Sequence, residues 1–302
     1  MTLVTVIIPS WNTRELLAAC LESLKTTLPL SSEVIVIDNA SSDGSARMVA
    51  ERFQHVRLLR NVRNLGFAAA ANQGVALARG AYVLLLNPDA QVLGNAIKRM
   101  LTFLEDNLRY GAVAPRLLNP DGSTQRAHMR FPGLLTPLFH GTPLERWKPD
   151  NAELARYFAR DFDYERDGEV EQPATACLLM RRRALKREKP LDEKLWLFFN
   201  DVDLCKRLWS AGWRIAYLAD AHVLHHGGMS TSQFADFVPE WHKNRLEYYR
   251  KHHGRLGGWW VKACVGWTVL DHCLHELWRR AHGNGAEALA PVWQSYSVLL
   301  RH

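Results

Sequence analysis

The sequence has few cysteines, and their spacing suits neither a metal site nor a disulfide framework. Its 302 residues include five cysteines, an odd number, and no two of them form a Cys-x-x-Cys pair. This usage argues against a disulfide-stabilised secreted domain and against a cysteine zinc site. We expect reduced thiols in a cytoplasmic protein.

Long apolar runs are also missing. No uncharged apolar stretch approaches the roughly 18 residues that a membrane-spanning helix needs. The N-terminus has no basic region, and its first apolar run, Val4–Ile8, is too short for a signal peptide. The expected location is therefore the cytoplasm, with any membrane contact peripheral and on the inner face of the cytoplasmic membrane.

Charge is moderately biased toward basic residues. Thirty-eight Lys and Arg residues against 31 Asp and Glu give a formal charge of +7 and a pI near 9.3. Such a balance suits anionic partners, namely nucleotide diphosphates, lipid head groups or nucleic acid, and it also serves simple solubility. The basic residues form no recognisable nucleic-acid-binding module, so we expect no nucleic-acid partner.

Short β-branched runs alternate with amphipathic segments over the first ninety residues. This pattern predicts an α/β fold with a mostly parallel sheet covered by helices on both faces. The predicted strands are Leu3–Ile8, Val34–Ile37, Val56–Leu59 and Tyr82–Leu86, and the predicted helices are 14–25, 46–53 and 68–78. Ligands of such sheets bind beyond the carboxyl ends of the strands.

The remaining chain is less regular. Residues 115–170 predict long loops, and from Glu240 onward the pattern predicts basic, aromatic helices. Between them we expect a strand at Ala176–Met180, a helix at Asp201–Ala211, a strand at Ile215–Leu218 and a polar loop at His222–Ser230.

Two polar segments offer ligands for a divalent cation. Asn87-Pro88-Asp89 follows a buried strand, and carboxylate oxygens suit Mg²⁺ or Mn²⁺, which keep substrate phosphates in their shell. His225 and His226 precede two glycines, and imidazole also binds ions of the Mn²⁺ type. The alternatives are that Asn-Pro-Asp is only a turn and that the histidines lie in a surface loop.

Asp201 is the candidate general base. It follows Phe198 and Phe199, and an apolar wall raises the proton affinity of a carboxylate toward that of a useful base. Asp201 and Asp203 equally suit the first turn of a helix, where Asp is favoured. The residues alone leave both interpretations open.

The ends of the first two predicted strands carry candidate nucleotide ligands. Trp11 can stack on a base, and Asp38 or Asn39 can hydrogen-bond to its edge, although Trp11 also suits core packing. Asp43, in Ser-Asp-Gly-Ser, is expected at a helix entry.

Taken in order, these segments resemble the GT-A glycosyltransferases of family 2, and most closely their rhamnosyltransferase-like branch. The resemblance covers about residues 3–253. The matching segments are VIIPSWN (Val6–Asn12), VIDNASSDGS (Val36–Ser45), RNLGFAAAANQG (Arg63–Gly74), LLLNPDA (Leu84–Ala90), NPDGSTQ (Asn119–Gln125), FFNDVDLCKRLWSAGW (Phe198–Trp213) and HHGGMST (His225–Thr231).

The resemblance implies a GT-A domain over residues 1–230, a C-terminal helical extension over 231–302, and roles for individual residues. Asp201 matches the catalytic base, and Asp89 and His225 match the metal ligands, with His226 as the runner-up. The residues that match the donor-binding segments are Pro9, Trp11, Asn12, Asp38, Asn39, Asn64, Gly66, Phe67, Asn72, Asn87 and Asp89. Three amides depart from the family pattern, since Asn39, Asn87 and Asn200 stand where many members have carboxylates.

The implied activity is inverting transfer of a sugar, dependent on Mg²⁺ or Mn²⁺, from a nucleotide-sugar donor to a glycan or lipid-linked glycan. The branch favours rhamnose from dTDP-rhamnose and a role in cell-surface polysaccharide synthesis. A catalytically inactive nucleotide-sugar-binding or regulatory descendant is the alternative, whereas nucleotidyl transfer lacks its glycine- and lysine-rich loop. The C-terminal helices suit a membrane surface, a helical cap or a homodimer face.

Overall fold

The computed structural model describes residues 3–185, 189–228 and 237–282, which form two compact units. The first unit contains the described residues 3–129, 162–185, 189–196 and 200–228. The second contains 130–161, 197–199 and 237–282. The domain boundary predicted at residue 230 lies outside the described residues and stays a prediction.

The first unit begins with the alternation of strands and helices that the sequence predicts. Its elements are β1 (Val4–Ser10), α1 (Arg14–Thr27), β2 (Ser32–Asp38), α2 (Ser45–Arg52), β3 (Arg57–Arg60), α3 (Phe67–Leu77) and β4 (Tyr82–Leu86). Strands β3, β2, β1 and β4 are parallel neighbours in that order. The prediction of a parallel α/β arrangement is confirmed for this half of the sheet.

The central strand β1 is buried along its whole length, because helices cover both faces of the sheet. Val6 and Ile8 join one core with α1 and α2. Ile7 points to the opposite face, toward α3, where a Cβ on Gly74 would lie 2.3 Å from its Cγ2. This alternation follows the two-residue period of a strand. Burial of each such side chain contributes about 1.5–3 kcal/mol to folding.

The rest of the first unit completes a mixed sheet. It adds β5 (Ala90–Val92), α4 (Ala96–Asp106), β6 (Tyr110–Leu118), β7 (His128–Met129), β8 (Gly168–Glu169), β9 (Gln172–Pro173), β10 (Cys177–Arg181), a 3₁₀ turn (Arg182–Ala184), α8 (Asn200–Ser210) and β11 (Arg214–His225). Among the described residues the main sheet has the order β3-β2-β1-β4-β10-β6-β11-β5, with β8 also paired to β11, and β7 pairs with β9. β10 is antiparallel to both of its neighbours, and β11 is parallel to β6.

Two expectations about irregular segments were wrong. The predicted polar loop at His222–Ser230 begins as strand, since β11 continues through His225 after an irregularity in its pairing between Leu218 and His222. The expected loops over 115–170 contain the end of β6 and several short helices. In both places polar residues or prolines interrupt the apolar pattern without ending the regular structure.

The second unit is helical. It consists of α5 (Thr136–Phe139), α6 (Pro143–Trp147), α7 (Ala152–Tyr157) and α9 (Phe237–Ala281), which is interrupted at Gly254 (φ 67°, ψ −169°). The prediction of C-terminal helices is confirmed up to residue 281. No helix in the described ranges combines the length and apolarity needed to cross a bilayer.

Gly80 connects α3 to β4 at a point where a side chain has no space. A Cβ there would lie 2.6 Å from the Thr5 backbone nitrogen and 2.8 Å from the Tyr82 carbonyl oxygen. We expect Gly80→Ala to lower the free energy of unfolding by about 1–3 kcal/mol, because sheet backbone cannot move aside cheaply.

Urea unfolding followed by circular dichroism measures this effect. Gly266→Ala is the matched control, since a methyl group there meets no atom within 4 Å and lies in a helix. The control is expected to be neutral or stabilising by up to about 1 kcal/mol. An unchanged urea midpoint for Gly80→Ala would contradict the expected clash.

Candidate active site

The carboxyl ends of three parallel strands bring the first predicted site residues to one edge of the sheet. Ser10 is in register with Asp38, and Ile7 is in register with Leu85, so Asn87 follows β4 close to the end of β1. The segments after β1, β2 and β4 therefore meet at this edge, as expected for a ligand site in a parallel sheet.

Asp89 and His225 come together because β5 pairs with the end of β11. In this antiparallel pair, Ala90 is the partner of His225. The Nε2 atom of His225 lies 3.4 Å from Asp89 Oδ1 and 3.3 Å from Asn87 Nδ2. The backbone amide of His226 donates to the carbonyl of Asp89 over 3.1 Å. The two predicted metal ligands are thus neighbours, although 136 residues separate them in the chain.

Gln125 fixes the imidazole of His225, a contact that the sequence did not predict. The Nε2 of Gln125 donates to Asn119 Oδ1 over 3.1 Å, so its Oε1 is the atom that faces His225 Nδ1 at 2.7 Å. Nδ1 therefore carries a hydrogen, and in the neutral imidazole Nε2 presents a lone pair toward Asp89. Hydrogen bonds of this kind orient metal-binding histidines in proteins.

The donor set at this point fits a divalent cation that also binds phosphate. His225 Nε2 and Asp89 Oδ1 lie 3.4 Å apart, and a cation bound by both atoms would be stabilised by the carboxylate charge and by the lone pair of the neutral imidazole. Within the described ranges, no group of three or more His, Cys, Asp and Glu side chains is arranged to hold a metal. Substrate phosphates and water would complete the shell, as is usual for Mg²⁺.

Cys20 lies beneath Asn87 and is not a candidate ligand. Its Sγ donates to the Asn87 carbonyl at 3.7 Å. Burial raises the pKa of this thiol far above its ordinary value, and the nearby charge of Asp89 raises it further. The thiol therefore stays protonated, and the candidate metal ligands remain Asp89 and His225.

Asn12 ties the loop after β1 to the loop after β2. Its backbone amide donates to Ser41 Oγ over 3.0 Å, and its side-chain oxygen accepts from the Ser42 amide over 2.8 Å. It has a positive φ of 51°. Pro9 is buried in the strand, and Trp11 is half-buried at the turn. The indole of Trp11 is thus partly accessible at the edge where a nucleotide is predicted.

Asp38 keeps one carboxylate oxygen available for a ligand. It is 4% exposed, and its Oδ2 accepts from the Ser41 amide over 3.2 Å. Oδ1 is buried and has no hydrogen-bond partner among the described residues. A buried acceptor without a donor is costly, and it marks a place where a ligand N–H or O–H would be stabilised. Asp43, by contrast, binds the first residue of α2, Ser45, through Oδ1 over 2.9 Å, as its predicted helix-entry role requires.

Asn39 organises the loop before α3 with both ends of its amide. Its Nδ2 donates to Asn64 Oδ1 over 2.8 Å and to the Gly66 carbonyl over 3.2 Å. Its Oδ1 accepts from Asn61 Nδ2 over 3.0 Å and from the Leu65 amide over 3.1 Å. These bonds explain why an amide stands here, since a carboxylate has no hydrogen to donate to the two acceptors.

Gly66 and Asn72 both serve contacts with the segment before α8. Gly66 has φ 83°, and a Cβ there would lie 2.4 Å from the Trp196 ring. Asn72 is buried, donates to the Leu191 carbonyl over 2.9 Å and accepts from the Leu191 amide over 3.0 Å. Phe67 begins α3 and is half-buried. The donor-binding roles predicted for these residues stay predictions.

Asp201 and Asp203 share the first turn of α8 but differ in surroundings. Burial raises the pKa of Asp201 above its ordinary value, and a 2.8 Å hydrogen bond from the Val202 amide offsets part of that rise. Asp203 is fully buried and pairs with Arg207 at 2.8 Å. Asp203 is therefore held in a buried ion pair, whereas Asp201 has a raised pKa, and its predicted role as the base stays a prediction.

The two aromatic residues before α8 contact the helix α9 within the second unit. The ring of Phe198 lies 4.9 Å from that of Phe237, and the ring of Phe199 lies 5.5 Å from that of Tyr248. Asn244 Oδ1 accepts from the backbone amide of Phe198 over 2.8 Å. The predicted role of these rings as a wall beside Asp201 stays a prediction.

Comparison with known proteins gives a family and a set of relatives. A sequence model described as "Glycosyl transferase family 2" matches residues 5–188. An N-acetylglucosaminyl-diphospho-decaprenol L-rhamnosyltransferase of Mycobacterium tuberculosis is 32% identical over 263 residues, which cover 82% of each chain. The O-antigen biosynthesis protein RfbC of Myxococcus xanthus is 26% identical over 78% of this chain and 18% of its own.

Two solved structures show the same fold. The mannosyltransferase PcManGT from Pyrobaculum calidifontis, in complex with GDP-Man and Mn²⁺, aligns with a TM-score of 0.57 and 15% identity over 99% of this chain and 80% of its own. S. aureus TarS 1–349 in complex with UDP aligns with a TM-score of 0.53 and 18% identity, covering 81% and 65% of the two chains. At these identities the likeness establishes the fold alone.

The contact of Gln125 with His225 generates a test of the candidate metal site. We expect Gln125→Leu to weaken Mn²⁺ affinity about 10–100-fold, because His225 loses the acceptor that holds its ring and tautomer. Titration of free Mn²⁺ by electron paramagnetic resonance measures this affinity without any turnover.

Gln125→Glu is the matched control, since a carboxylate still accepts from His225 Nδ1. It is expected to retain Mn²⁺ affinity within a few-fold of the wild type. Wild-type affinity in a folded Gln125→Leu variant would show that the imidazole needs no such support.

Proposed function

Because this chain belongs to glycosyltransferase family 2, has the GT-A fold and is a glycosyltransferase, we propose that it transfers L-rhamnose from dTDP-rhamnose, with inversion, to a lipid-linked glycan. The observation that carries the proposal is the meeting of Asp89 and His225 at the carboxyl end of β4. The choice of rhamnose rests on the name of the mycobacterial relative, which is similar along most of both chains.

The nucleotide is proposed to bind at the ends of β1 and β2. Asp38 Oδ1 is a buried acceptor suited to an N–H or O–H of the nucleoside. Trp11 is half-buried beside it in the neighbouring loop and offers a flat face to a base. Asn39 acts indirectly, since its amide holds Asn64 and Gly66 in the segment that wraps the donor.

The diphosphate is proposed to lie against Asp89 and His225. A divalent cation bound there would neutralise the leaving diphosphate and act as a Lewis acid. The protein supplies the carboxylate of Asp89, the lone pair of His225 Nε2 and the orienting bond from Gln125. Mn²⁺ or Mg²⁺ suits these ligands.

Asp201 is proposed to take the proton from the attacking hydroxyl of the acceptor. Inverting transfer is a single displacement, so it needs one base and no covalent enzyme intermediate. A raised pKa makes this carboxylate a stronger base than an ordinary aspartate. Asn200, next to it in the chain, adds no second charge.

The acceptor is proposed to be a glycan on a polyprenyl diphosphate, in the synthesis of a cell-surface polysaccharide. The mycobacterial relative is named for an N-acetylglucosaminyl-diphospho-decaprenol substrate. Such an acceptor places the enzyme at the inner face of the cytoplasmic membrane, as a peripheral protein.

A second candidate is a nucleotide-sugar-binding or regulatory protein without turnover. It is favoured by the amides at positions 87 and 200, where many family members have carboxylates. This candidate keeps nucleotide binding and predicts no transfer to any acceptor. The experiments below separate it from the proposed enzyme.

Titration of the purified chain with dTDP, UDP and GDP tests the donor site. We expect dTDP to bind most tightly, and only with Mn²⁺ or Mg²⁺ present, because a cation held by Asp89 and His225 would neutralise the charge of the diphosphate. Isothermal titration calorimetry with each metal and with EDTA measures this. Tighter binding of UDP or GDP would exclude the proposed donor, and equal binding in EDTA would exclude the proposed metal role.

Replacement of Asp201 tests the proposed base. Asp201→Asn is expected to lower kcat by about 10²–10⁴-fold, because a neutral amide cannot accept the proton, while dTDP affinity stays unchanged. In the wild type, activity requires the deprotonated carboxylate, so kcat falls as pH drops through the pKa of Asp201. Since burial raises that pKa, the fall begins at higher pH than for an ordinary aspartate.

Asp203→Asn is the matched control for Asp201→Asn. It breaks the buried pair with Arg207 and should lower the melting temperature while leaving the acid limb of the pH profile in place. Near-normal turnover in Asp201→Asn would exclude the assigned base. Tight dTDP binding with no turnover in the wild type would favour the second candidate.

A further inference from the structure

The second half of α9, residues 255–281, exposes a continuous apolar face. Its large members are between 36% and 83% exposed, and they recur at steps of three and four residues, so they share one side of the helix. They are Leu256, Trp259, Trp260, Leu270, Leu274, Leu277 and Trp278, with the exposed Ala263 and Ala281 between them. We call this row the α9 apolar face.

Basic residues line one edge of the α9 apolar face. Arg255 and Lys262 are seven residues apart, and Lys262 and Arg280 are 18 apart, which correspond to about two and five turns of helix and put the three residues on a common side beside the apolar row. Lys262 Nζ lies 5.2 Å from the ring centroid of Trp259. The face therefore combines exposed leucines and indoles with a positively charged edge.

The two acidic residues of this segment are already paired. Asp271 pairs with Arg146 at 3.0 Å, and the buried Glu276 pairs with Arg279 at 3.1 Å. Neither lies on the exposed apolar row. The carboxylates of this segment therefore do not lie between the basic edge and an approaching anionic surface, and the basic edge can contact that surface directly.

The rest of the second unit holds the helix beside the α9 apolar face. Trp260 lies at the border of that face, is 36% exposed and donates its indole N–H to the Leu134 carbonyl over 2.7 Å. Thr268 Oγ1 donates to the Gly141 carbonyl over 3.3 Å. Leu134, Leu135 and Trp147 are themselves more than half exposed. The helix is therefore fixed in orientation, and the short helices beside it extend the apolar surface.

We propose that the α9 apolar face docks onto a bilayer containing anionic phospholipid, with its indoles at the head groups and its basic edge on their phosphates. Interfacial helices bind in this way, through one apolar face and flanking basic residues. The alternative of a second copy is disfavoured by charge. Two such faces would bring basic edges together without acidic partners, which opposes pairing.

The proposal deepens the proposed function, since it rests on a lipid-linked acceptor as the reason for docking. The test uses the full chain and sedimentation with sucrose-loaded vesicles. One set contains phosphatidylcholine alone, and the other contains about 30 mol% phosphatidylglycerol as the anionic lipid. We expect binding to the anionic vesicles at least tenfold tighter than to the neutral ones, and weaker binding as salt screens the charges.

Paired substitutions separate the apolar from the electrostatic contribution. Leu270→Gln with Leu274→Gln is expected to weaken vesicle binding at least about tenfold, since two leucines no longer enter the interface. Leu30→Gln with Leu108→Gln is the matched control, because both leucines are exposed in the first unit, and it should bind as the wild type does.

Charge reversal provides the second pair. Lys262→Glu with Arg280→Glu is expected to abolish the preference for anionic vesicles, since each basic residue near the surface contributes about 1 kcal/mol, or roughly fivefold. Arg57→Glu with Lys98→Glu changes two exposed basic residues elsewhere and should retain that preference.

The outcomes distinguish this proposal from the proposed function. Metal-dependent dTDP binding, measured in solution, reports on the donor site alone. Normal dTDP binding without vesicle binding overturns the docking proposal and leaves the enzyme proposal intact. A Leu270→Gln, Leu274→Gln variant that changes from dimer to monomer by light scattering, with unchanged vesicle binding, identifies a self-association face and also overturns it.

Discussion

Three residues of β5 pair with the end of β11, and this short pairing brings the two candidate metal ligands of the first unit, Asp89 and His225, next to each other. Only three residues separate β4 from β5, so β5 begins within roughly 14 Å of the end of β4. The end of β11 must therefore reach the same edge of the sheet as Asp38 and Asn87. Without this pairing, β11 would end elsewhere and would carry His225 away from Asp89. Asp89 would then have no imidazole beside it.

Local patterns predicted the strands of the parallel half because each contains a short apolar run, rich in β-branched residues in β1 and β2, with polar residues after it. They failed at β11, where Asp220 and His222 interrupt the apolar run. The structure continues the strand past an irregularity in its pairing, and Arg99 binds the carboxylate of Asp220 at 2.8 Å. The role of Gln125 had no local signal at all, since its partner His225 lies 100 residues away.

The amides that depart from the family pattern use hydrogen atoms that carboxylates lack. Asn39 donates to two acceptors, and Asn200 Nδ2 donates to the Leu195 carbonyl over 3.3 Å. The amide of Asn87, which lies 3.3 Å from His225 Nε2, also removes a negative charge from the region proposed to bind a diphosphate, which reduces repulsion. The carboxylates that remain are Asp38, with a buried acceptor oxygen, Asp89 beside an imidazole, and Asp201 with a raised pKa.

The proposed lipid-linked acceptor would constrain where the enzyme works more than its sugar does. A polyprenyl chain leaves the bilayer at a cost of about 0.8 kcal/mol for each buried CH₂ group, so such an acceptor would stay in the membrane and the enzyme would have to approach it. Exposed apolar rows of this size are otherwise a liability for solubility. In this proposal, a helix with one apolar face and one basic edge would reconcile the two demands, because charge opposes aggregation of the exposed apolar surface and the same charge favours an anionic surface.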